Sequence, residues 1–190
     1  MIDWSAFPRD VNVPGYIMRP AFLFIKRMLG EDLIGAEIGV YLGETAEYVL
    51  RNMKLKRYYM FDPYAPYGDM QRSAEDWEEI YRKIFLLFSM RDNVEFIRSC
   101  SEKSCKLLPD SYLDFVYIDG NHEYKYVEKD ISMWYNKVKD GGVLCGHDYQ
   151  LEDVRKAVND FASTNNITIT TEEDWYTKVP DWWFIKNGHR

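Results

Sequence analysis

From about residue 33 onward the chain alternates short apolar runs with amphipathic helical patterns, and that alternation constrains its fold more than any other feature. Residues 33–38, 57–61, 94–97, 113–118 and 143–145 read as strands. Segments 45–53, 73–89, 102–107, 124–138 and 154–161 read as helices, and 167–170 and 182–185 as two late strands. The clearest helix carries Tyr124, Val127, Ile131, Trp134 and Val138 at i, i+3, i+4 spacing, with Lys137-Val-Lys-Asp-Gly141 as its stop. Ser73 with Asp76 is a capping-box-like helix start. Strands separated by helices imply parallel βαβ units in a doubly wound sheet, with helices on both faces. Such sheets bind ligands beyond the carboxyl ends of their strands.

Ahead of that pattern, residues 1–19 contain Pro8, Pro14 and Gly15 and read as an irregular arm. Residues 20–30 read as a short helix with Phe22, Phe24, Ile25 and Met28 partly on one face. The expected division is therefore an arm and helix over 1–30 and one ligand-binding domain over 31–190. The 190 residues suffice for a sizeable core, and 16% aromatic residues predict a large aromatic one, with an aromatic-lined pocket as the alternative. A net charge of −7 without a long basic run disfavours nucleic acid as a partner. Cys100, Cys105 and Cys145 form no CxxC pair, so reduced thiols are expected. With no signal-peptide layout and no apolar run near the ~20 residues of a membrane span, the expected location is cytoplasmic, with no membrane partner.

The first strand runs into Glu37-Ile-Gly-Val-Tyr-Leu-Gly43. Gly39 and Gly43 allow a tight turn and close approach of backbone N–H groups to a ligand. The G-x-x-x-G spacing is not the G-x-G-x-x-G of dinucleotide folds. Glu37 at the loop entrance would repel a phosphate and attract a cationic amine or sulfonium. Asp62 ends the second strand, where an acid accepts bonds from the hydroxyls of an adenosine ribose. The fourth strand ends at Asp119-Gly-Asn-His122 and the fifth at His147-Asp148, so two carboxylates and two imidazoles reach one rim. Of these, an imidazole suits removal of a hydroxyl proton near neutrality.

The Glu37–Gly43 loop resembles motif I of class I S-adenosylmethionine-dependent methyltransferases, close to the catechol-type and the sugar and antibiotic O-methyltransferases. That resemblance spans roughly residues 33–186. It implies a Rossmann-like, seven-stranded, mostly parallel sheet with the last strand antiparallel. It further implies that Glu37, Gly39, Val40, Tyr41 and Gly43 face the methionine part of the cofactor and Asp62 and Pro63 its ribose. Ser99, Cys100 and Ser101 fall where the family contacts adenine, with Cys100 where an Asp is frequent. Asp119, also near the cofactor, matches the metal-binding acid, His122 the base, and His147–Asp148 the second metal-binding pair. The companion ion implied is divalent, Mg²⁺ or Mn²⁺. His147 stands where the family more often has a carboxylate, which moves the donor set away from the all-oxygen preference of Mg²⁺ and leaves Mn²⁺, Fe²⁺ or no metal open. Tyr64, Tyr67 and Trp77 are candidate aromatic walls and Arg72 a candidate anion contact. The expected reaction is methyl transfer to a hydroxyl of a small molecule or sugar, His122 acting as base, and the N-terminal arm is a candidate homodimer contact. A nucleotide-dependent oxidoreductase and a catalytically silent cofactor-binding scaffold are the alternatives.

Overall fold

The computed structural model describes residues 19–68, 70–174 and 178–187. The arm over residues 1–18 and His189 lie outside the described residues. Seven strands form one sheet: β1 (Leu33–Ile38), β2 (Leu55–Asp62), β3 (Val94–Arg98), β4 (Leu113–Ile118), β5 (Val138–Gly146), β6 (Thr170–Glu173) and β7 (Pro180–Ile185). Their order is β3-β2-β1-β4-β5-β7-β6. The strands β1 to β5 are parallel, and β7 enters antiparallel to β5. The order turns back between β1 and β4, so the carboxyl ends of those two strands open the crevice where ligands bind.

Period-two alternation divides the core into two layers. One face of β4 offers Phe115 and Tyr117 to α1 (Pro20–Leu29), α2 (Glu44–Asn52) and α3 (Ala74–Phe88). The other offers Val116 and Ile118 to α4 (Ser101–Cys105), α5 (Tyr124–Tyr135) and α6 (Glu152–Thr164). Aromatic residues fill both layers, with Trp77, Trp134 and Trp182 fully buried. Helix α3 starts as expected, the Ser73 hydroxyl accepting from the Asp76 N–H at 3.0 Å.

Three expectations need correction. Helix α5 ends at Tyr135, so Val138 does not belong to it, and the basic stretch before Gly141 is not its stop. Val138 opens β5, pairs with Leu113 and is fully buried, and its carbonyl accepts from Lys186 Nζ at 2.7 Å. The strand then arcs out through Gly141, at φ +79°, before rejoining β4 at Phe115–Val143. The first late strand lies at 170–173 rather than 167–170. It is a polar edge strand held by pairing to β7, while Ile167 and Ile169 pack on the core from irregular backbone. On α1, Met28 is exposed, and Ala21 takes its expected place beside Phe22 and Ile25 in the core.

Candidate active site

The turn after β1 is shaped by left-handed backbone at Gly39 (φ +90°), Tyr41 (φ +47°) and Gly43 (φ +75°). A Cβ on Gly39 would sit 2.1 Å from the Asp119 carbonyl oxygen, so only glycine lets this loop lie against the end of β4. Asp62 braces the turn. Its Oδ2 accepts from the Val40 and Tyr41 N–H groups, both at 2.9 Å, and its Oδ1 from the Tyr64 N–H at 2.7 Å. Burial pushes the Asp62 carboxyl above its usual range, against the pull of these three donors. Glu37 is buried at the loop entrance and accepts from the Tyr58 hydroxyl at 3.0 Å. Burial raises its pKa well above the ordinary glutamate value, and the Tyr58 bond only partly opposes this.

Two cavities meet at this turn, sharing Gly39, Tyr67 and Asn121. The wider one, about 680 Å³, is lined by Arg19, Glu37, Val40–Leu42, Asp119 and His122, together with the acids Glu44, Glu123, Glu152 and Asp153. A narrower slot of about 210 Å³ lies between Phe61, Pro63 and Pro66 on one side and Ser101, Tyr126 and Asp130 on the other. Ser99 lies off this slot, its N–H bonded to the Asp62 carbonyl at 3.1 Å.

At the rim, His122 Nε2 stands 3.1 Å from Asp148 Oδ2 and 3.7 Å from Asp119 Oδ1. The His147 Nδ1 is 3.2 Å from the same Asp148 oxygen and 3.9 Å from Asp119 Oδ1. The two carboxylates raise His122 to about 9, against a smaller opposing effect of burial. Burial pushes Asp148 up, but contacts with His122 and His147 outweigh it and hold the carboxyl well below the usual range. Asp119 is lowered in the same way, with His122, Arg19 and His147 overcoming burial. Asp148 holds a left-handed backbone, φ +60°, that aims its side chain back over the β4 end. Asp119, His122 and Asp148 each bring one ligand atom into a group spanning no more than 4.8 Å.

Residues 36–149 match the family described as "Methyltransferase domain". The chain belongs to this methyltransferase family. The family implies S-adenosylmethionine as the methyl donor. An uncharacterized protein of Acanthamoeba polyphaga mimivirus is 28% identical over 153 residues, covering 77% of this chain; the chain spans only 64% of that curated relative. Among solved structures, an rRNA methylase from Streptococcus thermophilus superposes with a TM-score of 0.64 at 13% identity, covering 88% of this chain and 95% of its own. The O-methyltransferase NovP gives 0.62 at 16% identity, covering 88% and 80%. Spermidine synthase from Thermotoga maritima gives 0.57 at 11%, covering 88% and 60%. At such identities these three share the methyltransferase's fold.

Within this methyltransferase, Glu37, Gly39, Val40, Tyr41 and Asp119 line the wide cavity, while Asp62, Pro63, Cys100 and Ser101 line the slot. Gly43 lines neither, and a Cβ on it would meet the Phe88 ring at 2.6 Å. Of the three expected aromatic walls only Tyr67 lines the cavities, since Tyr64 and Trp77 are core residues; Tyr41, Phe61 and Tyr126 line them instead. Arg72 is engaged with the Tyr41 hydroxyl at 2.5 Å.

Sequence reasoning missed Arg19, Tyr117, Asp181 and Asp130. The Arg19 guanidinium reaches Tyr117 Oη at 2.5 Å and Asp119 Oδ2 at 3.5 Å. Tyr117 Oη donates to Asp181 Oδ1 at 3.0 Å, and Asp181 Oδ2 caps the Ala21 N–H at 3.1 Å. A charged residue within the Val127–Ile131–Trp134 stripe was the available signal for Asp130; for Tyr117 it was a hydroxyl on a buried strand that needs a partner.

Proposed function

We propose that the chain transfers a methyl group from S-adenosylmethionine to a hydroxyl oxygen of a small molecule or sugar, with a divalent cation held at the rim. The observation carrying this reading is the convergence of Asp119, His122 and Asp148 beside the glycine loop of a methyltransferase. The cofactor supplies a methyl carbon bound to a sulfonium. Glu37 and the Gly39–Gly43 backbone would hold its amino-acid end, the amine giving Glu37 the counter-charge it lacks. Three of the four lone-pair sites on Asp62 serve the backbone, which leaves one for a ribose hydroxyl.

An acceptor hydroxyl must lose its proton as the methyl arrives. With no metal bound, neutral His122 is the group positioned to take it; with an ion on His122 Nε2 that lone pair is used, and the ion's lowering of the hydroxyl pKa would take over the task. At a pKa of about 9 the ring is protonated at neutral pH unless another cation takes that proton's place. The donor set suits such an ion. Among the described residues, His122 Nε2 is buried without a hydrogen bond of good geometry and faces two carboxylates. Asp119, His122 and Asp148, with His147 beside them, would hold it, and its charge would lower the pKa of a nearby hydroxyl. Mixed nitrogen and oxygen donors fit Mn²⁺ or Fe²⁺ better than Mg²⁺. The acidic lining of Glu44, Glu123, Glu152 and Asp153 supports a small acceptor over a polyphosphate.

The test is calorimetry with S-adenosylhomocysteine against NAD⁺, in Mn²⁺ and in chelator, followed by transfer of labelled methyl to a panel of hydroxylated acceptors. Binding of the first compound alone, with transfer reduced roughly 100-fold or more in His122→Ala, is expected. No binding in either condition overturns the reading. Binding without transfer to any acceptor would mark a cofactor-binding scaffold.

A further inference from the structure

We infer that Asp130 reads the purine edge of the cofactor, accepting a hydrogen bond from the exocyclic amine of adenine; this rests on the S-adenosylmethionine reading above. The two cavities differ in a way that orients such a ligand. The wide one is charged and suits a zwitterionic amino-acid end, whereas the slot is narrow, with Phe61, Pro63, Pro66 and Tyr126 as walls for a flat ring. Of the slot's charged lining, Glu102 and Lys129 pair with each other and Asp62 braces the glycine turn, which leaves Asp130, on α5. The loop after β3 contributes Cys100, whose thiol is exposed and a weak acceptor.

The hydrogen bonds around Asp130 make it acceptor-only. Trp134 Nε1 has only a proton to give, and it donates to Ser101 Oγ at 2.8 Å. The single hydroxyl proton of Ser101 then goes to Asp130 Oδ1 at 2.5 Å. Among the described residues no hydrogen bond reaches Oδ2. That oxygen lies beside Gly120, where a Cβ would stand 3.9 Å from it, and both residues line the slot. Asp130 is only 7% exposed, and burial, partly offset by Ser101, pushes its carboxyl up to about 6. It is a buried charge short of donors beside a slot shaped for a ring. An amine at purine position 6 supplies a donor, whereas a carbonyl oxygen there would meet the carboxylate acceptor to acceptor. Sites built on a buried polar partner reject the mismatched isostere strongly.

The experiment compares S-adenosylhomocysteine with its deaminated analogue S-inosylhomocysteine, by calorimetry at pH 7.5, in the wild type and in Asp130→Asn. The wild type is expected to prefer the adenosyl compound by roughly 10- to 100-fold. Asparagine keeps the shape but offers both a donor and an acceptor. The variant should still bind the adenosyl compound, with its preference collapsing to about threefold or less. If Asp130 only fastens α4 to α5, both ligands weaken together and the ratio stays; an unchanged ratio, or a wild type that does not discriminate, overturns the inference. Failure of the wild type to bind either compound overturns the cofactor reading and this inference with it, and is thereby distinguishable.

Discussion

Two acids, Glu37 and Asp130, sit in the fold at a cost that ligands or substitutions should relieve, and the sign differs in each test. Burial favours the protonated form of Glu37. A bound ammonium group favours its ionised form, so binding of S-adenosylhomocysteine should release up to about one proton. Calorimetry in two buffers of different ionisation enthalpy measures this; a buffer-independent enthalpy would contradict it. The folded-state value of Asp130, about 6, lies above its ordinary 3.8. The folded protein therefore binds the extra proton, the carboxyl costs nothing below 3.8, and the cost grows as pH rises through 6. Asp130→Asn should stabilise the apo protein by about 2–3 kcal/mol at pH 7.5 and not at pH 4, as read by denaturant melts at both values. Gly39→Ala combines a forbidden φ with a backbone collision and should abolish cofactor binding.

At the level of elements, α1 is fastened to the reaction centre by charge as well as by packing. Arg19, at its N-cap, links Tyr117 and Asp119, while Asp181 holds both the Tyr117 hydroxyl and the first turn of the helix. Removing the guanidinium in Arg19→Met leaves two carboxylates without their counter-charge. A loss of about 2–3 kcal/mol at pH 7.5 is expected, since Arg19 is partly solvated. The loss should shrink below pH 6, where Asp181, itself raised to about 6 by burial, takes up a proton. The strands and helices that position the cofactor loop were legible because each carries its own periodicity, and the gathering of Asp119, His122, His147 and Asp148 at one rim was legible because they follow the ends of β4 and β5 in a parallel sheet. Arg19, Tyr117 and Asp181 were not, since they act as a set only once segments 64 to 160 residues apart in sequence are brought together. The α5–β5 boundary failed because Val138 satisfies helical spacing and strand pairing alike, and pairing with Leu113 won. β6 is hidden because an edge strand stabilised by backbone bonds needs no apolar side chains.

At the scale of the whole molecule, the reversal of strand order between β1 and β4 places the donor loop and the rim side by side, so in the proposed reaction cation, cofactor and acceptor would share one opening. Proton and divalent cation compete for His122. Apparent Mn²⁺ affinity should therefore rise with pH by up to about tenfold per unit until roughly pH 9, and Mn²⁺ titrations at pH 6.5, 7.5 and 8.5 would show it. A pH-independent affinity would remove His122 from the ligand set. The contact between Gly39 and the Asp119 carbonyl also sets a rule for anyone re-engineering acceptor choice. Leu151 and Glu152, at the N-cap and start of α6, are the lining positions to vary first, whereas Asp153 accepts from the Tyr124 N–H at 3.0 Å and Met70 packs on the core. Any change that shifts the last peptide of β4 by a fraction of an ångström carries the glycine turn with it. Selectivity for the acceptor is thus open to redesign from the outside inward, and grip on the donor is not.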